Sequence, residues 1–313
     1  MFLSPLAFAQ TKQDGCGTSH YKIIELPLIP VAINGSEQVA GTTKDHRIAV
    51  WSLQDGLHQI PLPPGYSKGE AASIDAAGRV VGTAYDDLFR KHQGFSFYKG
   101  VLTSLAGEQS RVFQITDGER IAGESLRAGQ SIMEPVIWTK NILHPLTNCC
   151  GGSAMGLNKN GDVVGNAYDE QGRYHAVLWI KNGGAEPIGA PNQYSSAVAI
   201  NDLRHVLVQS ISQVFLYADG ILTQLSLSAK YPSQGRSLNN CDVIVGSFGP
   251  FSDAYRAFIW DKSSGFNDLN TRLAPDSGWK LEYAASINDR GEIVGRGDNR
   301  GQDDVGFLLI PID

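Results

Sequence analysis

The chain lacks a run of about 18 consecutive apolar residues, which is the length a helix needs to cross a bilayer. It also lacks a basic excess. Its formal net charge of −6 argues against a nucleic-acid binder, which usually carries a positively charged stripe. No GxSxG, HExxH, P-loop or GxGxxG motif is present. The sequence therefore predicts neither a membrane span nor a nucleic-acid partner, and it offers no catalytic motif.

Charged residues are also few, at 19%, whereas hydrophobic residues reach 42%, a balance typical of a globular chain. Glycine is abundant, with 35 residues. Because glycine adopts positive φ angles at little cost, this abundance indicates many tight turns and favours an all-β protein.

One unit recurs seven times along the chain, in forms such as ASIDAAGRVVG, MGLNKNGDVVG and ASINDRGEIVG. Successive copies are separated by 38 to 49 residues. A polar residue opens a turn in each copy, and a glycine follows seven residues later in every copy except the fifth, which has Val208. The turn-opening residues are Asn34, Asp75, Thr116, Asn158, Asn201, Asn239 and Asn288.

Each copy continues with a third apolar stretch, such as EPVIW or RAFIW, and six copies then carry a fourth short one. Four short strands in a repeat of about 40 residues are the signature of a β-propeller. The sequence thus predicts an all-β, seven-bladed propeller with four antiparallel strands per blade. The predicted blade repeats start near residues 29, 70, 111, 153, 196, 234 and 283.

The seventh copy ends without a fourth strand, whereas the segment YKIIELP near the N-terminus (21–27) matches the fourth-strand pattern. We therefore expect this segment to complete the last blade and close the ring, because unpaired sheet edges are a liability. Residues 20–313 would then form a single domain. Residues 1–19 are interpreted as a signal-peptide remnant and tail, since Ala7-Phe8-Ala9 has the small-x-small form of a signal-peptidase site.

The repeat resembles the HAF repeat of bacterial extracellular proteins, and the stretch His175-Ala176-Val177-Leu178-Trp179 comes closest to the namesake triplet. The resemblance covers the chain from about residue 20. It implies export, to the periplasm or the medium, but it implies no activity. In the fifth copy, Leu203-Arg204-His205 occupies the turn, so we expect an altered first hairpin there.

In a propeller, the loops from strand two to strand three and those between blades share one face, here called the loop face; the other is the hairpin face. The longest polar loops of this chain fall on the loop face, and loops carry function on rigid scaffolds. Tyrosine, aspartate, arginine and histidine recur there and could bind a sugar, a peptide or an anion. The candidate ligand-binding residues are Tyr85, Asp86, Arg90 and His92, then Tyr168, Asp169, Arg173 and His175, and finally Tyr255 and Arg256.

Catalysis or metal binding would require such residues to converge from distant blades. His46, His92 and His175 stand beside Asp45, Asp86 and Asp169 in blades one, two and four. Because the blades are spread around a ring, we predict that the three histidines form no metal site, and no cofactor is predicted. Small residues two positions before each turn, with Gln114 as the exception, are interpreted as a packing requirement around the central channel.

The four cysteines are Cys16, Cys149, Cys150 and Cys241. Cys241 lies in a hairpin turn of blade six, and Cys16 precedes the closing strand, whose start lies on the same face. We therefore predict a Cys16–Cys241 disulfide, worth about 4–5 kcal/mol in the chain-entropy model. Cys149 and Cys150, on the opposite face, would be free thiols or a vicinal disulfide.

The leading hypothesis is a secreted, monomeric binding module that holds a glycan, peptide or protein partner on the loop face. One alternative is an extracellular hydrolase or lyase with its site at the channel mouth. The other is a structural surface or matrix component, in which no pocket would form.

Overall fold

The computed structural model describes residues 20–126, 129, 131–146, 151–189, 193–211, 213–228, 230–250 and 254–312. They form seven four-stranded antiparallel sheets in a ring, which confirms the predicted seven-bladed β-propeller. Within the described ranges, no helix is long and apolar enough to span a membrane. The predicted signal remnant and Cys16, Cys149 and Cys150 lie outside the described residues.

Each of the first six blades is built from four consecutive strands. The first three contain β2 to β5 (Ile29–Ile33, Val39–Thr42, Ile48–Ser52, Gly56–Gln59), β6 to β9 (Lys68–Ile74, Val80–Tyr85, His92–Tyr98, Val101–Ser104) and β10 to β13 (Ser110–Thr116, Arg120–Leu126, Met133–Thr139, Ile142–Pro145). The next three contain β14 to β17 (Gly152–Leu157, Val163–Tyr168, Tyr174–Trp179, Ala185–Pro187), β18 to β21 (Ser195–Ile200, Val206–Ser210, Gln213–Ala218, Ile221–Gln224) and β22 to β25 (Ser233–Leu238, Ile244–Phe248, Arg256–Asp261, Gly265–Asp268). A short 3-10 helix, Leu269–Arg272, follows β25.

Blade seven joins the two ends of the chain. It contains β26 (Trp279–Ile287), β27 (Ile293–Asn299), β28 (Gln302–Ile312) and, as its outer strand, β1 (His20–Leu26). Strand β1 runs antiparallel to β28, with Leu26 opposite Gly306 and His20 opposite Ile312. Tyr21 is buried in the core of this blade, and burial raises the pKa of its hydroxyl to about 12. The predicted closure by the N-terminal strand is therefore confirmed.

The repeated glycine of the second strand lies close to the backbone of the bulged inner strand. In blade four, the register shifts between Ala154 and Gly156. This shift places the carbonyl oxygen of Ser153 only 1.9 Å from where a Cβ of Gly165 would lie. Blade five keeps the equivalent bulge with Val208 in the glycine row, and Val208 is buried in the core between blades four and five.

The turn-opening asparagines fasten neighbouring blades to each other. Their side-chain amides donate to the backbone carbonyl of the equivalent residue in the next blade. The donor–acceptor pairs are Asn34 to Asp75 (2.9 Å), Asn158 to Asn201 (3.1 Å), Asn201 to Asn239 (3.1 Å), Asn239 to Asn288 (3.2 Å) and Asn288 to Asn34 (3.0 Å). We call this set the asparagine ladder. It explains why the turns of the repeat favour asparagine beyond ordinary turn chemistry.

The ladder is interrupted at blades two and three, because neither Asp75 nor Thr116 has a side-chain amide to donate. Asp75 caps its own turn by accepting from the backbone amides of Ala77 and Arg79. Burial raises the pKa of its carboxyl group. The ionised form of Asp75 is therefore disfavoured in the folded chain. The stability that the protonated carboxyl group contributes below its unfolded-state pKa is lost as the pH rises through its folded-state pKa.

Replacing Asp75 by asparagine is expected to stabilise the protein at neutral pH by about 1 kcal/mol. The new amide can donate to the carbonyl of Thr116 and extend the ladder, and no buried carboxylate remains. Urea unfolding at neutral and acidic pH tests this, because the gain should shrink in acid as Asp75 itself becomes protonated. A variant less stable than the parent at neutral pH would contradict the role of the ladder.

In the fifth blade, the first hairpin differs from the others in its residues, as predicted, but its turn is not otherwise altered. Arg204 takes a left-handed conformation (φ 66°), and Asn201 still caps the turn. The guanidinium of Arg204 pairs with the buried Asp162 of blade four at 2.9 Å. The Cys16–Cys241 disulfide stays a prediction, because Cys16 lies outside the described residues.

Candidate functional site on the loop face

In blade two, the predicted residues mostly support their own loop. Asp86 accepts from the backbone amides of Arg90 (2.7 Å) and Lys91 (3.0 Å), which lower the pKa of its carboxyl group. Tyr85 donates to Glu70 at 3.2 Å, and burial followed by the charge of Glu70 raises its pKa to about 12. Arg90 is exposed. Asp86 is thus a turn cap rather than a catalytic group.

His92 begins the third strand of blade two, opposite Tyr85. Its Nε2 atom is buried and has no hydrogen-bond partner among the described residues. Burial, and then the charge of Arg111, lower the pKa of the imidazole. The environment of His92 therefore favours the neutral form of its imidazole.

In blade four, Asp169, Arg173 and His175 do come together, but within a single hairpin loop. Asp169 accepts from the backbone and side chain of Arg173 (2.9 and 3.0 Å) and contacts His175 Nε2 at 2.9 Å. The backbone amide of Arg173 contributes most to lowering the pKa of Asp169 to about 2. Through the described residues, no hydrogen bond or ion pair joins these three to the candidates of blades two or six.

The three histidines considered as metal ligands also stay apart. His46 lies in a turn with φ 57°, whereas His92 and His175 lie in third strands. In the described part of the chain, no group of three or more His, Cys, Asp or Glu side chains could hold a metal ion.

The candidates of blade six diverge. Arg256 turns toward the outer strand and pairs with Asp268 at 2.6 Å. Tyr255 instead packs against Tyr283 of the inner strand of blade seven, with ring centroids 5.2 Å apart. Tyr255 thereby opens onto a groove that the sequence analysis did not predict.

We call this cavity the blade 6/7 groove; its volume is about 410 Å³. The guanidinium of Arg296 lies 4.5 Å from the centre of the Tyr283 ring, within cation–π range. The same guanidinium pairs with Asp304 at 2.5 Å, and Lys280 pairs with Glu282 at 2.7 Å. Burial raises the pKa of Tyr283. Two tilted tyrosine rings in contact are therefore surrounded by two ion pairs and by the carboxylate of Asp303.

Strand β26 explains why these side chains were missed. It has two register shifts, one between Leu281 and Tyr283 and one between Ala284 and Ser286. A bulge re-aims the side chains that precede it, so counting from the turn does not give the direction of Tyr283. The one feature of the sequence that could have pointed to these residues was the extra length of the loop before this strand.

A second cavity on the loop face, the blade 3/4 groove, has a volume of about 360 Å³. Tyr168, one of the predicted residues, lines it together with Tyr174, Asn166, Ser153 and Glu124. On the hairpin face, the ring of turns surrounds a shallower depression of about 290 Å³ at the other end of the channel.

Comparisons with known proteins support the architecture alone. No family model and no curated protein matches the chain. Solved structures place its fold among the β-propellers. Virginiamycin B lyase from Staphylococcus aureus is 13% identical with a TM-score of 0.64, over 94% of this chain and 100% of that one. The propeller domain of the Trilobed protease from Pyrococcus furiosus is 10% identical with a TM-score of 0.62, over 93% and 95%. YCF48 bound to D1 peptide is 8% identical with a TM-score of 0.59, over 96% and 100%.

Proposed function

We propose that this chain is an exported binding module that holds a glycan in the blade 6/7 groove. The observation that carries the proposal is the contact between Tyr255 and Tyr283, with Arg296 stacked on the second ring. Export follows the resemblance to the HAF repeat and belongs to the proposal.

The chemistry of the groove fits an uncharged, hydroxyl-rich ligand. Sugar hydroxyls both donate and accept, so they can bond to a carboxylate and a guanidinium side by side. The Arg296–Asp304 and Lys280–Glu282 pairs offer this mixture. Tyrosine rings supply apolar area for the C–H face of a sugar and a hydroxyl for its edge. A strongly anionic ligand would instead require cations that are not already paired with carboxylates.

The other hypotheses have less support. A hydrolase or lyase would need acid and base groups that converge between blades, whereas Asp169 and His175 meet inside one loop. A purely structural component would need no grooves, yet the loop face carries grooves between neighbouring blades. A peptide remains the nearest competitor for the blade 6/7 groove, because amides also donate and accept.

Replacing Tyr255 by alanine is expected to weaken glycan binding about tenfold, because the variant removes one of the two tyrosine rings of the groove. The purified protein would be screened on an array of neutral and acidic oligosaccharides, and the best binder would be titrated by calorimetry. Tyr255→Phe should keep most of the affinity, because the ring is retained.

The matched control is Tyr98→Ala. Tyr98 is stacked by Arg79 at 4.7 Å, but at the end of strand β8 on the hairpin face. This variant should bind the glycan as the parent does. Absence of binding to every glycan, or equal losses in both alanine variants, would overturn the proposal, and binding of an unstructured peptide library instead would favour the competing ligand class.

A further inference from the structure

Three tyrosines form an exposed aromatic surface beside the blade 3/4 groove. Tyr168 ends strand β15, Tyr174 begins strand β16, and Tyr194 precedes blade five. Their ring centroids are 6.2 Å apart for Tyr168–Tyr174 and 5.2 Å apart for Tyr174–Tyr194. Each remains 37–45% exposed. We call this set the tyrosine platform.

The platform continues into a floor of hydrogen-bonding groups. Asn166 donates to Ser196 at 3.0 Å, and Ser153 donates to Glu124 at 2.5 Å. The carboxylate of Glu124 also lies 3.6 Å from Arg111, which balances its charge. The groove therefore combines exposed aromatic rings with hydroxyl, amide and paired charged groups, and it shares its tyrosine rings and ion pairs with the blade 6/7 groove.

The two grooves lie on opposite sides of the channel mouth. Both open at the ends of second strands and the starts of third strands, which is the loop face. One lies between blades three and four, and the other between blades six and seven, so three blade steps of a seven-blade ring separate them. Ser196, Gln234 and Arg236 stand on the inner strands between them, only partly buried or exposed. Polar side chains therefore stand on the inner strands of blades five and six, between the two aromatic sites.

We propose that the tyrosine platform is a second subsite for the same ligand, which is then an extended polysaccharide chain lying across the channel mouth. This inference rests on the proposed function of the blade 6/7 groove. Exposed aromatic rings are costly to leave in water on a soluble surface, and a contiguous exposed patch marks an interaction site. Two such sites with matching chemistry on one face fit one long ligand better than two small ones, because the second contact becomes intramolecular.

The test compares short and long oligosaccharides of one backbone, prepared from the polysaccharide that the parent binds best on the array. For the parent, affinity should rise at least about tenfold from the shortest to the longest member. In Tyr174→Ala, which removes the central ring of the platform, this rise should disappear while the affinity for the shortest member stays unchanged. Tyr255→Ala should instead weaken binding at every length.

The outcomes separate the two proposals. If the parent binds glycans and Tyr255→Ala weakens that binding, but Tyr174→Ala keeps the full dependence on length, the second subsite is overturned and the proposed function stands. If the parent binds no glycan, both fail. Tyr98→Ala serves again as the control, and its length dependence should equal that of the parent. Circular dichroism and thermal unfolding of each variant establish that a loss of binding is not a loss of fold.

Discussion

Replacing Asn201 by alanine is expected to lower the free energy of unfolding by about 3 kcal/mol, because four hydrogen bonds of this buried side chain are lost at once. Asn201 Oδ1 accepts from the backbone amides of Leu203 and His205. Its Nδ2 donates to the carbonyl of Asn239 and to the carboxylate of Asp242. The variant therefore leaves the turn uncapped and breaks the asparagine ladder between blades five and six. Urea-induced unfolding followed by circular dichroism measures the loss.

The matched control for this prediction is Asn160→Ala. Asn160 lies in the equivalent turn of blade four, but its exposed side chain makes one bond, to the carbonyl of Asp202 at 2.7 Å. An exposed hydrogen bond can be replaced by water, so the change should stay within about 0.5 kcal/mol. If Asn201→Ala were no more destabilising than Asn160→Ala, the hydrogen bonds of the ladder would contribute nothing measurable to the free energy of unfolding.

Replacing Gly165 by alanine should destabilise the protein by about 3 kcal/mol, the upper range for forcing extra atoms into a packed interior. The added Cβ would lie 1.9 Å from the Ser153 carbonyl oxygen and 2.9 Å from its carbon. Both atoms belong to the backbone of the inner strand, so they cannot turn away as a side chain would. The bulge between Ala154 and Gly156 must shift instead, and with it the inner strand at the channel.

Gly184→Ala provides the comparison. Gly184 lies in the hairpin turn before strand β17, and its added Cβ would meet nothing within 4 Å. Alanine there should leave stability unchanged or raise it slightly, because it restricts the unfolded chain. Thermal unfolding of both variants, side by side, measures the difference. A Gly165→Ala protein as stable as Gly184→Ala would show that the inner strand yields more easily than its bulge suggests.

The architecture could be predicted from the sequence because a propeller repeats one sequence pattern in every blade. Seven copies of one pattern specify strand number, turn position and ring size together, and the unmatched fourth strand of the last copy pointed to closure by residues 21–27. The asparagines were interpreted as turn openers only. Their bonds to the next blade depend on how far neighbouring inner strands lie from each other, which is a tertiary distance that no local pattern contains.

The candidate site was harder to predict, because loop residues were chosen by type and not by their local bonds. Asp169 opens a turn that Gly172 closes, the same arrangement as Asn158 and Gly161. This pattern could have identified Asp169 as a cap. The tyrosines of the blade 6/7 groove come from different blades, and a bulge sets the direction of Tyr283. Such a combination becomes visible only when the blades are packed.

The closure of blade seven has a consequence for how the chain is made. Strand β1 is synthesised before the other described strands of the propeller and its partner β28 after them, so β1 cannot pair until the rest of the propeller has been made. Contacts of such long sequence separation form slowly. A product that stops before β28 would expose an unpaired β1 and an open edge on β27, both of which promote aggregation. Ring closure thus depends on synthesis of the whole propeller, since β1 is covered only once β28 has been made.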